Sequence, residues 1–397
     1  MTANASALSP RLPRRVPSLD GLRAISASAV IVAHLVGTKN FPSGLHQLDH
    51  LGNYGVRCFF IISGFLITTL LLKELDVAGS ISLSAFYLRR CLRIFPASYA
   101  YVGLISLAAA GGLITLYPGD LLHAWTYTMN YQNIPVAIRH ARANGWYLNH
   151  LWSLSVEEQF YLLWPAAIVL LTARRALKLA GGVIIAAPFI RMLMWYMMSS
   201  SPEDVVTTAL SRQFEAVSDA LATGCLLAGA YNWLGERTRY QAFLRSPYFM
   251  IVLVVGGVLP TLVFLKSPIL FFVGSQTVLN ITMALCLERC VRYPSGLVGA
   301  FLNASPVVGI GVLSYSLYLW QELFLNPFRR DSVLFAFPVN LLMVILAALL
   351  SYHAVERPFL RLKARLERRR SAAAGATSSH AAVPATPLTE DRQATIS

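Results

Sequence analysis

The sequence predicts an all-α protein: a polytopic membrane bundle of about ten transmembrane helices with both termini cytoplasmic. Three observations lead there. Of 397 residues, 56% are hydrophobic and 13% charged, whereas a soluble globular chain carries roughly 25% charged residues. Mean hydropathy is +0.55. The net charge of +14 is spread as basic punctuation between apolar runs, as in cytoplasmic loops, and not as the single patch a nucleic-acid partner requires. The 5 cysteines (Cys58, Cys91, Cys225, Cys286, Cys290) lie in or beside apolar segments without zinc-ligand spacing, so they read as packing residues and no metal site is expected.

Residues 1–17 form a Pro- and Arg-rich cytoplasmic arm that includes Arg11, Arg14 and Arg15. Asp20 caps the first helix, roughly 20–38. On that helix Arg23 and His34 fall within roughly 20° of each other, about 16 Å apart along the axis. An Arg and a His in one membrane helix are costly unless they face a polar interior, which makes the pair a candidate site. The competing reading has Arg23 snorkelling to headgroups and His34 satisfying a neighbouring helix. The segment contains an Arg and lacks a small-residue cleavage pattern, so no cleavable signal peptide is expected.

The second helix, roughly 56–75, carries Ser63-Gly64 at its middle. A close helix approach explains both residues, and no Gly-x-Ser-x-Gly elbow marks Ser63 as a nucleophile. Arg89, Arg90 and Arg93 stand where the chain meets the third helix, roughly 95–116. They read either as positive-inside charge or as a phosphate clamp, since guanidinium binds phosphate bidentately. Residues 117–149 form an outer segment of aromatics and amides (Trp125, Tyr127, Asn130, Tyr131, Gln132, Asn133, Trp146, Tyr147, Asn149), suited to the membrane interface or to stacking on a sugar ring.

The fourth helix opens His150-Leu151-Trp152-Ser153-Leu154-Ser155-Val156-Glu157-Glu158-Gln159-Phe160-Tyr161. Two adjacent acids beside Trp152 and Tyr161 at membrane depth predict that at least one faces a polar cavity. The fifth helix, roughly 179–198, carries Arg191; the sixth, roughly 213–232, carries Asp219, for which Arg212 is the candidate partner about two turns away. Helices seven and eight (about 248–265 and 268–287) are a plain apolar hairpin. The ninth, roughly 305–325, presents Ser314, Tyr315, Ser316, Tyr318 and Gln321, and the tenth, roughly 336–355, ends at Glu356-Arg357-Pro358. A basic run follows (Arg361, Lys363, Arg365, Arg368, Arg369, Arg370), suited to anionic lipid headgroups, and from about Ser371 the composition predicts a disordered tail. Most of the 33 Lys and Arg then fall inside, as the positive-inside rule expects. Three regions result: a basic arm 1–17, a membrane domain 18–360 and a cytoplasmic tail 361–397. No internal repeat is evident, which weighs against a transporter.

Several motifs, in register, resemble the acyltransferase-3 family of membrane O-acyltransferases of glycans and antibiotic sugars. Leu19-Asp20-Gly21-Leu22-Arg23 with His34 looks like its Arg-x(10)-His signature. Phe59-Phe60-Ile61-Ile62-Ser63-Gly64-Phe65 is similar to its Ser-Gly-Phe segment, and Arg90-Cys91-Leu92-Arg93 with Pro96 to its Arg-x-x-Arg motif. The block 152–161, Ser314-Tyr315-Ser316-Leu317-Tyr318-Leu319-Trp320 and Glu356-Arg357-Pro358 extend the likeness over roughly 18–360. Some relatives carry a fused extracytoplasmic hydrolase-like domain; the short tail here implies that this chain or a separate partner completes transfer.

The resemblance implies an acyl-CoA donor (acetyl-CoA in the simplest case), no permanently bound cofactor, and a hydroxyl acceptor on a cell-envelope glycan such as a polysaccharide or lipopolysaccharide, handled in the inner (cytoplasmic) membrane among its lipids. Arg89, Arg90, Arg93 and Arg23 then hold the anionic donor, with Arg23 also counted among the catalytic residues. His34 takes the acceptor proton, and Glu157 or Glu158 orients its imidazole. Trp152, Tyr161 and Ser63 contact substrate, and Ser63 as an acyl carrier is the alternative to direct transfer. A membrane transporter of a glycan or acyl-group precursor is the competing function, since transport also calls for intramembrane Arg, His and Glu.

Overall fold

In the computed structural model, which describes residues 8–13, 16–132 and 146–380, a helix stands at each of the ten predicted stretches. They are α1 (Leu19–Leu35), α2 (Leu51–Ala78), α3 (Leu83–Ala110), α4 (Leu151–Leu171), α5 (Ala173–Met197), α6 (Phe214–Gly235), α7 (249–266), α8 (Phe271–Arg292), α9 (Ser305–Phe324) and α10 (Val339–Ser351). A π-turn over Tyr352–Glu356 joins α10 to α11 (Arg357–His380). Among the described residues there is no strand, only an isolated bridge between Lys39 and Ala336. Among the described residues, seven helices are long and apolar enough to cross a membrane, or eight if the pair 238–245 and 249–263, bent by 75°, is one span. The shortfall from ten has a physical origin. α1 has 17 residues where a crossing takes roughly 20, and α6 carries Glu215, Asp219 and Asn232.

α3 begins a dozen residues before its predicted start. The Ser82 side chain accepts from Ala85 N at 3.4 Å and caps it, and Pro96 is accommodated inside it. The three arginines therefore sit on the helix itself. At the other end of the chain, α11 continues to His380, past the point where composition predicts loss of order; Ala372–Ala374 are strong helix formers. Residues 381–397, like Asn133, Arg14 and Arg15, lie outside the described residues.

α2 is central, between α1 and α6. α1 packs on α9, α9 on α10, and α6 on α5. α3 lies against α4, α9 and α11, and α4 also touches α2, α5 and α6. The α2–α6 contact is backbone-close: a Cβ on Gly64 would run into the Leu221 carbonyl oxygen, and one on Gly224 into that of Ile61. Small residues permit such approach where lipid supplies no hydrophobic drive between helices. Beside this seam Arg191 of α5 pairs with Asp219 of α6 at 3.0 Å, both fully buried, with Thr277 donating to the same carboxylate at 2.6 Å. Arg191, not Arg212, is thus the partner of Asp219. Arg212 precedes α6, where Gln213 is extended, and its guanidinium donates to Asn149 at 2.6 Å.

Candidate functional site

α1 carries Arg23 in its second turn and His34 in its last, and each opens onto a different chamber. The first, about 100 Å³, is lined by Arg23, Ser63, Arg90, Arg93, Glu157 and Tyr161 together with apolar and hydroxyl side chains of α2, α3, α4 and α9. The one-turn spacing of Arg90 and Arg93 puts both on the inward face of α3. Arg90 lies 5.2 Å above the Tyr161 ring and 5.6 Å above that of Phe86. Arg23 reaches Asp20 at 3.4 Å. Arg93 makes no hydrogen bond or ion pair among the described residues. Ser63 donates to Glu157 at 2.6 Å, and its hydroxyl lies 3.0 Å from that of Tyr161. Three guanidiniums thus line this chamber with one carboxyl group, Glu157, while Asp20 pairs with Arg23 from outside the lining, a cationic excess suited to a polyanionic ligand.

The second chamber, about 450 Å³, is lined by His34, Trp146, His150, Trp152, Arg212 and Glu322 among others. His34 meets the Trp146 ring edge-on at 5.4 Å, and its buried Nδ1 has no hydrogen-bond partner among the described residues. His150 is pinned. Glu322 accepts from its backbone N–H at 3.1 Å and lies 2.8 Å from its Nδ1, while Nε2 is 3.0 Å from the Leu319 carbonyl. A carbonyl oxygen only accepts, so Nε2 carries a hydrogen, and the Nδ1–Glu322 contact holds one further proton between ring and carboxylate. Arg212 lies 5.7 Å over the Trp152 ring.

Val56 and Tyr318 line both chambers. The Tyr318 hydroxyl donates to the His150 carbonyl at 2.9 Å and sits 2.5 Å from Ser153 Oγ, which fixes the ring as the partition.

The residues singled out in the sequence separate accordingly. Arg23, Arg90, Arg93, Ser63, Glu157 and Tyr161 come together in the first chamber; His34 and Trp152 lie in the second. Arg89 is turned away, paired with Glu74 of α2 at 2.8 Å, because it lies about 100° round the helix from Arg90. Glu158 lines neither chamber, and its buried Oε1 has no partner among the described residues. The expected pairing of His34 with Glu157 or Glu158 is therefore not the one the fold makes. Glu157 serves Ser63, and the carboxylates that line the His34 chamber are the buried Glu322 of α9 and Asp49. His150, Glu322, Tyr318 and Arg212 are additions that motif spacing did not reveal. The available signal was position: His150 opens the α4 block and Glu322 closes the α9 block, both at the helix ends level with His34.

Fold and site together define a class: an all-helical bundle with several helices of membrane-crossing length, holding a guanidinium-lined chamber against an imidazole-lined one. The chain matches the model of the acyltransferase domain over residues 16–354, and it belongs to that family, acyltransferase-3. Among curated relatives, a Staphylococcus aureus (strain COL) chain named as a candidate O-acetyltransferase is 31% identical, the match covering 87% of this chain and 57% of the relative. The O-acetyltransferase OatA of S. aureus (strain NCTC 8325 / PS 47) is 29% identical, with the same coverage of 87% and 57%. YrhL of Bacillus subtilis (strain 168), named as a candidate peptidoglycan O-acetyltransferase, is 27% identical over 87% of this chain and 55% of its own length. This chain thus spans little more than half the length of the relatives it matches. No solved structure matches it.

Proposed function

We propose that the protein is a multi-pass O-acyltransferase of the cytoplasmic membrane that moves an acyl group, acetyl by analogy with the relatives' names, from acyl-CoA to a hydroxyl of a cell-envelope glycan. The observation that carries this reading is the contact of the two chambers at Val56 and Tyr318. Arg23, Arg90 and Arg93 suit the donor's phosphates, and their end of the bundle is then cytoplasmic. The pantetheine arm would run along α2 towards Tyr318. Trp146 and Trp152 offer stacking faces for a sugar ring beside His34. As the acceptor oxygen attacks the thioester carbonyl, His34 takes its proton; the carbon–sulfur bond breaks, and the coenzyme A thiolate leaves and is protonated in turn. Glu322 and Arg212 hold the wall around the imidazole.

A second route is favoured by the short Ser63–Glu157 hydrogen bond. Glu157 would take the Ser63 proton, Ser63 would accept the acyl group with loss of coenzyme A thiol, and the acceptor hydroxyl would then displace Ser63. The test of the function is a purified, nanodisc-reconstituted protein given radiolabelled acetyl-CoA and peptidoglycan or exopolysaccharide fragments. Thiol release with label on sugar supports transfer. Accumulation of unmodified solute in proteoliposomes without thiol release would instead establish transport.

A further inference from the structure

The second chamber keeps three polar atoms that the protein itself does not match. His34 Nδ1, Trp146 Nε1 and Glu322 Oε1 are buried, belong to residues that line it, and have no hydrogen-bond partner among the described residues. Buried polar groups are costly to leave unpaired, so three of them around one cavity mark a place where a bound molecule completes the bonding. Glu322 is the most closely defined. Its Oε2 accepts from the His150 backbone N–H at 3.1 Å and lies 2.8 Å from His150 Nδ1. The proton of that second contact sits on nitrogen or on Oε2, and in either place Oε1 carries no hydrogen. Oε1 therefore only accepts, whereas the indole N–H of Trp146 only donates. Asp49 lines the chamber too, but its side chain is 55% exposed and lies 3.3 Å from His50 Nδ1, so water can serve it.

A ligand that fits must bring a donor for Glu322 and an acceptor for Trp146. A carboxylate has no hydrogen for Oε1, and an ammonium has no lone pair for the indole; hydroxyl groups supply both. From these unmatched atoms we infer that Glu322 selects the acceptor: Oε1 takes a hydrogen bond from a second hydroxyl of the ring whose first hydroxyl meets His34, so the acceptor is a polyol ring and not an isolated alcohol. His150 is the positioning residue, because its N–H and Nδ1 occupy Oε2 and leave Oε1 for the ligand. The inference rests on the reading of this chamber as the acceptor site.

E322Q is the discriminating variant. The His150 N–H draws the amide oxygen to the place of Oε2, which puts the NH2 group where Oε1 was and turns an acceptor into a donor. The probes are methyl β-glucoside and its monodeoxy analogues, titrated by saturation-transfer NMR into the full-length protein in nanodiscs. Thiol release from acetyl-CoA is measured in parallel with peptidoglycan and exopolysaccharide fragments. Wild type is expected to bind at least one deoxy analogue about tenfold more weakly than the parent glucoside, and E322Q to bind the two alike. W146F keeps a stacking face but loses the N–H, and should weaken the parent about fivefold. Unchanged helical circular dichroism and a monodisperse elution profile certify that the variants fold. The same discrimination in E322Q as in wild type overturns the inference, as does a wild type that binds no glucoside or ignores every deoxy change; thiol release with label on sugar then leaves the transfer reading standing. No thiol release from wild type with any fragment sinks the transfer reading, and the glucoside titration then decides Glu322 by itself.

Discussion

Ser63 of α2 donates a 2.6 Å hydrogen bond to Glu157 of α4, at the heart of the chamber that collects Arg23, Arg90 and Arg93. A hydroxyl held by a carboxyl group can be a nucleophile in waiting or a strut. Direct transfer predicts the strut: Ser63→Ala should keep the rate within about tenfold of wild type. Rapid quenching after acetyl-CoA, followed by peptide mass spectrometry, should find no acylated Ser63. An acetyl mass there that turns over with acceptor would establish the two-step route.

His34 is expected to matter most. His34→Ala should lower the transfer rate by a factor of about 100 to 10,000, the usual worth of general-base help, while coenzyme A affinity stays within twofold because His34 lines the other chamber. Parallel calorimetry and turnover assays separate the two quantities. A variant with full turnover would remove His34 from the chemistry.

Removing the arginines should do the reverse. Arg93→Ala and Arg90→Ala are each expected to raise the donor dissociation constant about tenfold, as loss of a charge-assisted contact does, whereas Arg89→Ala should leave it nearly unchanged, since Arg89 is committed to Glu74. An Arg89 variant as impaired as the Arg93 variant would mean that the Arg89–Glu74 pair opens when the donor arrives.

What the sequence made legible, and what it hid, follows from range. The apolar runs located a helix at each of the ten stretches because each is a local property, while seven or eight of these helices have membrane-crossing length and apolarity among the described residues. Arg90 and Arg93 pointed the right way because their spacing is one helical turn. Arg89 did not, and one-residue neighbours on a helix cannot share a face. The error over the carboxylate near His34 is of another kind. Which helix packs against α1 is not written in α1. Glu157 lies in the family-like block and draws the eye, but α9 lies alongside α1 and brings Glu322 to the His34 chamber. Likewise the partner of Asp219 came from α5, about 28 residues earlier, and not from Arg212 nearby in sequence.

The Gly64–Leu221 approach yields a stability prediction. Gly64→Ala places a methyl group against backbone that cannot move aside, and it should cost about 2 kcal/mol. A lower melting temperature in detergent, with donor affinity preserved in the folded fraction, is the expected outcome. Gly103→Ala is the control, because nothing lies within 4 Å of its added Cβ.

In the loop that follows α9, Arg329 donates two hydrogen bonds to Asp331, at 3.1 and 3.0 Å. These bonds hold the Asp331 carboxyl below its usual range. A carboxyl whose folded-state value lies below the unfolded one near about 4 stabilises the loop above that pH and loses the contribution as pH falls through the lower value. Amide-exchange protection over residues 325–338, corrected for intrinsic rates, should therefore be greater at pH 6 than at pH 3. In Asp331→Asn the difference should vanish. Equal protection in the wild type at both values would show that the pair does not order the loop.

The wall formed by Val56 and Tyr318 also governs the order of events. On the proposed assignment of donor and acceptor to the two chambers, either reactant can arrive first and both are present when the bond is exchanged. Reciprocal plots of initial velocity at several fixed acceptor concentrations should then be lines that cross, and coenzyme A should compete with the thioester while leaving the affinity for sugar alone.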